Sequence, residues 1–280
     1  MAVTVTEAFV RQYAAEVKAA YQREGSLLRQ AVRIRSGVVG ERIHFPKLGK
    51  GVATDKARHA DVVPMDLEHT KVYADMVDKY APEYIDDLDQ VKINWDLRAD
   101  YARASAWALG RQTDKQIIEA VETEDSSNNF DSDQVVNKTN LDLEGILEIS
   151  KIMNDNDVPQ DANRWAIINA HQLQHLLQIE GATSSDYVGN QLLVTGREPV
   201  YWLGFKWIVY TGDYFTEAGD SKAVTGVFFH QPSMGLAIGK DIHTQVDWVP
   251  QKVAYLVNSW MSMGAVVIDR DSVVLLADEA

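Results

Sequence analysis

NWDLRADYARASAWALGRQTDKQIIEAVE, residues 94–122, carries the strongest structural signal in the chain. Asn94 or Asp96 is a suitable helix cap, and no proline interrupts the stretch. The spacing of its apolar residues predicts one helix of about 40 Å, at 1.5 Å per residue, with a soft point at Gly110. The apolar stripe consists of Leu97, Tyr101, Ala104, Trp107, Ala108, Ile117, Ile118 and Val121.

Composition sets limits on the class of protein. The chain has 280 residues, 46% of them hydrophobic, and no cysteine. Disulfides, thiolate nucleophiles and cysteine-ligated zinc are therefore excluded, and folding in the cytoplasm fits best. No run of eighteen apolar residues could cross a bilayer, and the first twenty residues lack the pattern of a signal peptide.

Charge is distributed unevenly along the chain. The net charge of −14 argues against a general nucleic-acid binder. Residues 1–60 carry eleven Lys or Arg against five Asp or Glu, whereas residues 61–160 carry nine against twenty-three. Two interpretations stay open: two solvated faces, or self-complementarity, in which the basic arm of one subunit lies on the acidic body of a neighbour.

The N-terminal residues 3–24 are predicted to form an amphipathic helix. Phe9, Tyr13, Val17 and Tyr21 recur at four-residue steps on one face. Because no long partner helix is close in the sequence, this aromatic stripe is expected in the core or against another subunit. A basic connector that contains Arg33 and Arg35 follows and is predicted to be extended.

Residues 41–92 predict a long two-stranded excursion. Alternating segments at 41–49 and 68–86 flank a polar tip with glycine, proline and no helical period. The cations of this region are Lys47, Lys50, Lys56 and Arg58. A hairpin with so small a core is marginal alone, so it is expected to lie on its own body or on a neighbour.

After a polar surface loop at 122–140, the remaining chain predicts a mixed body. The patterns indicate a helix within 141–159, a strand and helix within 164–178, and a strand within 203–212. A β-rich stretch follows. The C-terminus reads as two long strands joined near Met261–Gly264, which makes the chain α+β.

No convincing catalytic constellation is present. His171 and His175 share a helix face, but Gln172 stands where a zinc protease has its general base, and no third ligand is suggested. The acidic loop that begins at Asp125 lacks the glycine and glutamate of a calcium hand. We therefore predict no catalytic residue, metal or cofactor. A soluble α+β hydrolase with an unrecognised site around His171, His175 and His230 is kept as the alternative from another class.

The order of these elements resembles that of the major capsid proteins of tailed bacteriophages with the Hong Kong 97-type fold. LGRQTDKQIIEAV, at 109–121, is similar to the end of the family's spine helix. RWAIINAHQLQHLL, at 164–177, resembles its entry into the axial domain, and LGFKWIVYTG, at 203–212, a following strand. FFHQPSMGLAIGKDI, at 228–242, resembles the return to the periphery.

The resemblance implies a domain organisation. It comprises an N-terminal arm, an extended β-hairpin loop, a long spine helix, and peripheral and axial domains. The expected segments are the arm at 1–40, the extended loop at 41–92, the peripheral domain with the spine helix at 93–140, the axial domain at 141–250 and the peripheral return strands at 251–280.

The resemblance also implies a function. The chain would self-assemble, as hexamers and pentamers, into the icosahedral or prolate shell around a double-stranded DNA phage genome, assembled in the bacterial cytoplasm and located in the virion. Expected partners are portal and scaffolding proteins, decoration proteins, and DNA contacted non-specifically; no membrane is expected. A non-viral compartment shell of the same fold is the nearest alternative.

Candidate interface residues follow from the arm and the loop. Some family members join a loop lysine to an asparagine of another subunit; Asn258 is present here, but we predict no such cross-link. The arm begins almost at Met1, so any scaffold is expected to be a separate protein. The predicted subunit-interface residues are Phe9, Tyr13, Tyr21, Arg33, Arg35, Lys47, Lys50, Lys56 and Arg58.

Overall fold

The structure is a computed structural model. The residues that it describes are 25–59, 61–62, 64–65, 67–87, 97–127, 129–179, 201–211, 215 and 224–278. The predicted N-terminal helix, with Phe9, Tyr13 and Tyr21, lies outside the described residues.

Eleven strands and three α-helices are assigned within these residues. The helices are α1 (Leu97–Ser126), α2 (Leu143–Asp155) and α3 (Ala170–Gln178). The strands are β1 (Arg33–Ser36), β2 (Arg42–Leu48), β3 (His69–Asp75), β4 (Val77–Asp86), β5 (Val135–Asn137), β6 (Arg164–Ile168), β7 (Lys206–Val209), β8 (Val224–His230), β9 (Met234–Val249), β10 (Ala254–Val267) and β11 (Val273–Ala277).

Helix α1 confirms the predicted long helix. It has 30 residues and is about 45 Å long. The first acidic residues of the predicted loop instead continue the helix, and Arg270 pairs with Glu124 at 2.8 Å near its end. Its buried positions follow the helical period and include Ser105, Leu109, Thr113, Ile117 and Val121.

A four-stranded sheet lies against α1, in the order β1-β9-β10-β4. Strand β1 runs parallel to β9, whereas β10 is antiparallel to both β9 and β4. Leu109 of the helix packs on Met261 and Met263 of β10, and Ile117 and Val121 join the main core. The long helix therefore supports the sheet along most of its length.

The second sheet has five strands, in the order β5-β11-β8-β6-β7. Every residue of β6, β8 and β11 is buried, as expected of strands covered on both faces. One face contributes Phe229 and Leu275 to the core below α1, and the other contributes Phe228 and Leu276 to a cluster with α2 and α3. This sheet holds the largest continuous core among the described residues.

Strands β2 and β3 form a separate antiparallel two-stranded sheet, which confirms the predicted hairpin. Residues 68–86 do not form the single strand that the pattern indicated. Met76 donates its N–H to the carbonyl of Glu41 at 2.9 Å, and the chain changes partner there. Before this point β3 pairs with β2, and after it β4 pairs with β10.

Two sequence-based expectations are wrong. The C-terminal strands are not joined near Met261–Gly264, because β10 continues through that region with only a shift in register and the connection lies at Arg270–Ser272. The connector after the predicted N-terminal helix is not extended throughout, because Leu28–Ala31 forms a 3-10 helix before β1 begins. In both places, contacts from distant segments override the local pattern.

The two sheets divide the chain at different residues from the boundary at 250 and 251 expected between the axial domain and the return strands. The chain leaves the five-stranded sheet for the four-stranded sheet at Gln231–Ser233 and returns to it at Arg270–Ser272. Strand β9 therefore belongs with β10 and the long helix, and β11 belongs with β6 and β8. The chain therefore passes back and forth between the two sheets and does not complete one before it begins the other.

Candidate functional site

The base of the β2–β3 hairpin has a small apolar core of its own. Ile43, Phe45 and Ala74 are buried against Ala237 of β9 and Ile268 after β10. Alternation along β2 places Ile43 and Phe45 on this inner face. The base of the hairpin is therefore fixed to the four-stranded sheet by apolar contact.

The hairpin packs closely against two glycines of the underlying sheet, where a side chain would collide with it. A Cβ at Gly235 would lie 3.0 Å from the Phe45 ring. A Cβ at Gly264 would lie 2.2 Å from the carbonyl oxygen of Asp75. Gly264, which suggested a turn in the sequence, is thus a position at which the backbone of Asp75 comes too close to β10 for any side chain.

Ion pairs within the chain hold the same region. The Nζ of Lys47 lies 2.7 Å from Oδ1 of Asp269, and the Nζ of Lys50 lies 3.1 Å from Oδ2 of Asp157. The Lys50 ammonium also donates to the carbonyl oxygen of Asn156 at 3.2 Å. Two of the four predicted loop cations are therefore engaged at the hairpin base by carboxylates of the body.

The tip of the hairpin, residues 51–67, contrasts with its base. Its described residues have no helix or strand and are almost all exposed. Val52 is 77% exposed and Val62 is 70% exposed, values unusual for large apolar side chains. Within the described part of the chain, Lys56 and Arg58 make neither an ion pair nor a hydrogen bond. The tip therefore presents unpaired cations and uncovered apolar groups together.

Arg33 and Arg35 lie on the edge strand β1, and both are exposed. Arg35 donates from Nη1 to the carbonyl oxygen of His44 at 3.2 Å. Arg33 lines a cavity of about 270 Å³ with Lys47 and Lys50. The structure thus brings three of the predicted cations to one junction between the sheets and the hairpin, away from Lys56 and Arg58 at the tip.

A buried carboxylate on α1 was missed by the sequence reasoning. Asp114 has no exposed surface. Its Oδ2 accepts the N–H of Leu27 at 3.0 Å, its Oδ1 accepts the N–H of Leu28 at 3.0 Å, and it also accepts the Ser26 hydroxyl. A carboxylate on the apolar stripe, one turn after Gly110, is the signal that could have identified this contact in the sequence.

The three histidines considered for catalysis make two separate contacts. The Nε2 atoms of His171 and His175 are 3.4 Å apart on α3. Burial lowers the pKa of His175, and His171 lowers it further. His230 instead contacts Asp161 at 3.0 Å. Among the described residues, no group of three or more His, Asp or Glu side chains is arranged to hold a metal ion.

Asn258, the asparagine considered for a cross-link, lies within β10. Its register partners are Pro82 of β4 and Gln245 of β9. Its Oδ1 is buried without a hydrogen-bond partner. A cross-link would join different subunits, so its absence stays a prediction.

Comparison with known proteins gives one consistent result. The sequence profile described as phage capsid protein matches residues 5–277. The curated proteins contain no match.

No helix in the described ranges has the length and apolar character needed to span a membrane.

Solved structures with a similar fold come from phages, and two of the following three are described as capsids. The capsid structure of the cyanophage P-SCSP1u has a TM-score of 0.75 and 14% identity, over 99% of this chain and 95% of that chain. The structure from Mycobacterium phage Che8 has a TM-score of 0.64 and 18% identity, over 92% and 93%. The mature capsid of bacteriophage PhiM1 has a TM-score of 0.67 and 13% identity, over 94% and 89%.

Proposed function

Because the chain belongs to the phage capsid protein family and is a shell-forming major capsid protein with the Hong Kong 97-type fold, we propose that its hairpin and N-terminal arm join one subunit to the next. The hairpin is residues 41–92, and the arm is residues 1–40. The interface residues proposed in these segments are Phe9, Tyr13, Tyr21, Arg33, Arg35, Lys47, Lys50, Lys56 and Arg58.

The exposed tip is the observation that carries this proposal. Val52 and Val62 lie uncovered beside the unpaired cations Lys56 and Arg58. Exposed apolar groups of this kind mark interaction surfaces. Residues 51–60 carry two Lys or Arg against one Asp, whereas residues 68–160 carry nine against twenty-one. The cationic side of the tip therefore has a charge-complementary partner in another copy of the same chain.

The two sheets suggest a division of the remaining chain. We assign the five-stranded sheet with α2 and α3 to the axial domain, around the five-fold and six-fold axes. The four-stranded sheet and α1 form the peripheral domain, with α1 as its spine. This assignment moves β9 to the peripheral domain and β11 to the axial domain, relative to the expected division of 141–250 from 251–280.

The proposed shell is icosahedral or prolate and encloses a double-stranded DNA genome. Portal and scaffolding proteins, and decoration proteins where present, are the proposed partners during assembly in the host cytoplasm. The net charge of −14 favours weak, non-specific contacts with DNA. Large obligate interfaces would give the shell its robustness without disulfides, since the chain has no cysteine.

Electron microscopy of the purified chain, with its mass by light scattering, tests the shell. We expect closed particles, or rings of five or six subunits, and nuclease-protected DNA in particles purified from infected cells. Particles that contain a protein cargo and no DNA would instead indicate a compartment shell. A monomer near 31.3 kDa that never assembles, even with scaffold, would contradict the proposal.

Variants separate the arm from the hairpin. Deletion of residues 2–24 should block normal shell formation, and normal shells from the deleted chain would refute the role of the arm. Reversal of Lys56 and Arg58 to glutamate should block assembly while the subunit stays folded. Reversal of Lys47 and Lys50 is a separate test, because it also breaks their ion pairs within the chain. Lys151→Glu, on the exposed face of α2, is the control for Lys56 and Arg58.

A further inference from the structure

The N-terminal segment crosses the long helix at a position that only glycine permits. A Cβ at Gly110 would lie 2.6 Å from the carbonyl carbon of Gly25 and 2.9 Å from the backbone nitrogen of Ser26. Gly25 itself has a φ of 67°, which favours glycine and turns the chain at this point. The backbone of the segment therefore rests directly on the backbone of the helix.

Asp114 lies one helical turn after Gly110 and accepts hydrogen bonds from the residues that directly follow this crossing. Its carboxylate accepts two backbone N–H groups and one hydroxyl at the start of the 3-10 helix at Leu28–Ala31. Those N–H groups have no partner within the helix itself, so a carboxylate from α1 takes the role of a cap. Charge-assisted bonds of this kind are stronger than neutral ones.

Contacts on the far side of the crossing fix the segment further. Both guanidinium nitrogens of Arg29 bond the carboxylate of Asp241 in β9, at 3.1 and 2.8 Å. Leu28 and Ala31 have no exposed surface. Strand β1 then runs parallel to β9. Gly25, the first described residue, is therefore held at one defined place on the body, near the middle of α1.

We propose that Asp114 is a positioning residue for assembly, which sets where and in which direction the arm leaves the subunit. This inference rests on the proposed role of the arm. The arm reaches the right place on a neighbour only if the crossing at Gly110 and the cap at Asp114 hold its root. Asp114 acts through the arm and contacts no neighbour itself, since it has no exposed surface.

Asp114→Asn is the sharpest variant, because it keeps the size of the side chain. The amide retains one acceptor oxygen but presents an NH₂ donor to an N–H of Leu27 or Leu28, so one hydrogen bond is lost and two donors face each other. Thr113→Val is the matched control. Thr113 is also buried on the same helix, but its hydroxyl donates to the carbonyl of Leu109 and contacts the sulfur of Met261, and it bonds none of the described residues that precede α1.

The test measures the subunit concentration at half-maximal assembly, by light scattering. Asp114→Asn should raise this concentration about tenfold, the factor expected for loss of one charge-assisted hydrogen bond, whereas Thr113→Val should leave it nearly unchanged. Each change is also made in a chain that lacks residues 2–24. There, Asp114→Asn should have no further effect, because no arm is left to position.

The outcomes separate this inference from the proposal on which it rests. Normal assembly of the deleted chain would refute the role of the arm. Failure of the deleted chain together with normal assembly of full-length Asp114→Asn would refute only the positioning role. An equal loss from Asp114→Asn in both backgrounds would also overturn it, because Asp114 would then act through the fold.

If the chain that lacks residues 2–24 never assembles, the two backgrounds cannot be compared. Limited trypsin cleavage of the full-length variants then tests the positioning role. Release of the anchor should speed cleavage after Arg29 in Asp114→Asn and leave cleavage after Lys151 on α2 unchanged. Gly110→Ala should give the same pattern by displacing Gly25, although alanine favours the helix itself. Equal acceleration at both sites, or at neither, would contradict the positioning role.

Discussion

The five-stranded sheet and the β2–β3 hairpin use similar residue types in opposite ways. In the sheet, β6, β8 and β11 are buried over their whole length, so each strand is satisfied within its own subunit. In the hairpin, only one face of β2 is buried, and the tip keeps Val52 and Val62 in solvent. The comparison separates a body that is buried within its own subunit from an excursion whose tip, as we propose, is completed by a neighbouring subunit.

The largest expected effect is in the five-stranded sheet. Phe228 has no exposed surface and contacts the rings of Phe205 and Trp207 edge-on, at 5.4 and 5.9 Å between centroids. Phe228→Ala should lower the free energy of unfolding by about 3–5 kcal/mol through lost burial and a cavity. Denaturant unfolding measures it, with exposed Leu147→Ala as the control, for which the expected change is within about 0.5 kcal/mol. Equal effects would contradict a self-sufficient body.

Truncation at the hairpin base should have a smaller and more local effect. Phe45 is 1% exposed, but its cluster is small and lies at the margin of the four-stranded sheet. Phe45→Ala should cost about 3 kcal/mol, the lower limit for such truncations, mostly as undocking of the hairpin. Hydrogen exchange should therefore rise in β2 and β3 but not in β8. Faster exchange throughout the chain would show that the hairpin supports the whole fold.

Charge reversal at the tip should change assembly but not folding. Lys56→Glu with Arg58→Glu alters exposed side chains that have no partner in the described chain, so the free energy of unfolding should change by less than about 0.5 kcal/mol. Shell yield should fall sharply. Lys151→Glu, on the exposed face of α2, is the control. Undiminished shells from the double variant would remove the role assigned to the tip.

The ion pair at the hairpin base should contribute less still. The side chains of Lys47 and Asp269 are 34% and 38% exposed, so solvent and salt screen the pair. A double-mutant cycle with Lys47→Ala and Asp269→Ala should give a coupling of about 0.2–1 kcal/mol that declines as salt rises. A larger coupling that salt does not reduce would mean that electrostatics, rather than the Phe45 cluster, docks the hairpin.

The smallest expected effect is the loss of stability at acidic pH through the Arg29–Asp241 ion pair, which holds the segment after Gly25. The guanidinium of Arg29 lowers the pKa of Asp241, although burial opposes it. A lowered folded-state pKa means that the stabilisation is present above the ordinary carboxyl pKa of about 3.9 and is lost as pH falls through the lower folded value. Wild type should therefore exceed Asp241→Asn in stability at pH 6, and the difference should shrink towards pH 3. A difference that does not vary with pH would exclude this linkage.

The order of elements was predictable because it depends on local patterns. The long helix follows from an apolar stripe without proline, and the hairpin follows from alternation around a tip without periodicity. Strands β6, β8 and β11 are predominantly apolar, with Arg164, Thr225 and His230 as the exceptions, and such runs are typical of a fully covered sheet. These features need no information about distant partners.

The remaining contacts were not predictable because they join distant segments. Gly264 suggested a turn, yet its small size serves the approach of Asp75 across the sheet. Gly110 looked like a soft point in a helix, yet it admits the backbone of Gly25. Lys47 was read as an interface cation, while the structure pairs it with Asp269 of the same chain. In each case the fold determines which partner a residue meets.

Hydrogen exchange of the amides in residues 51–67, compared between unassembled capsomers and closed shells, tests the central claim most directly. The account predicts fast exchange of the tip before assembly and strong protection in the shell, while β6, β8 and β11 are protected in both states. A tip that is already protected in capsomers, or that remains unprotected in closed shells, would contradict the claim that a neighbouring subunit completes it.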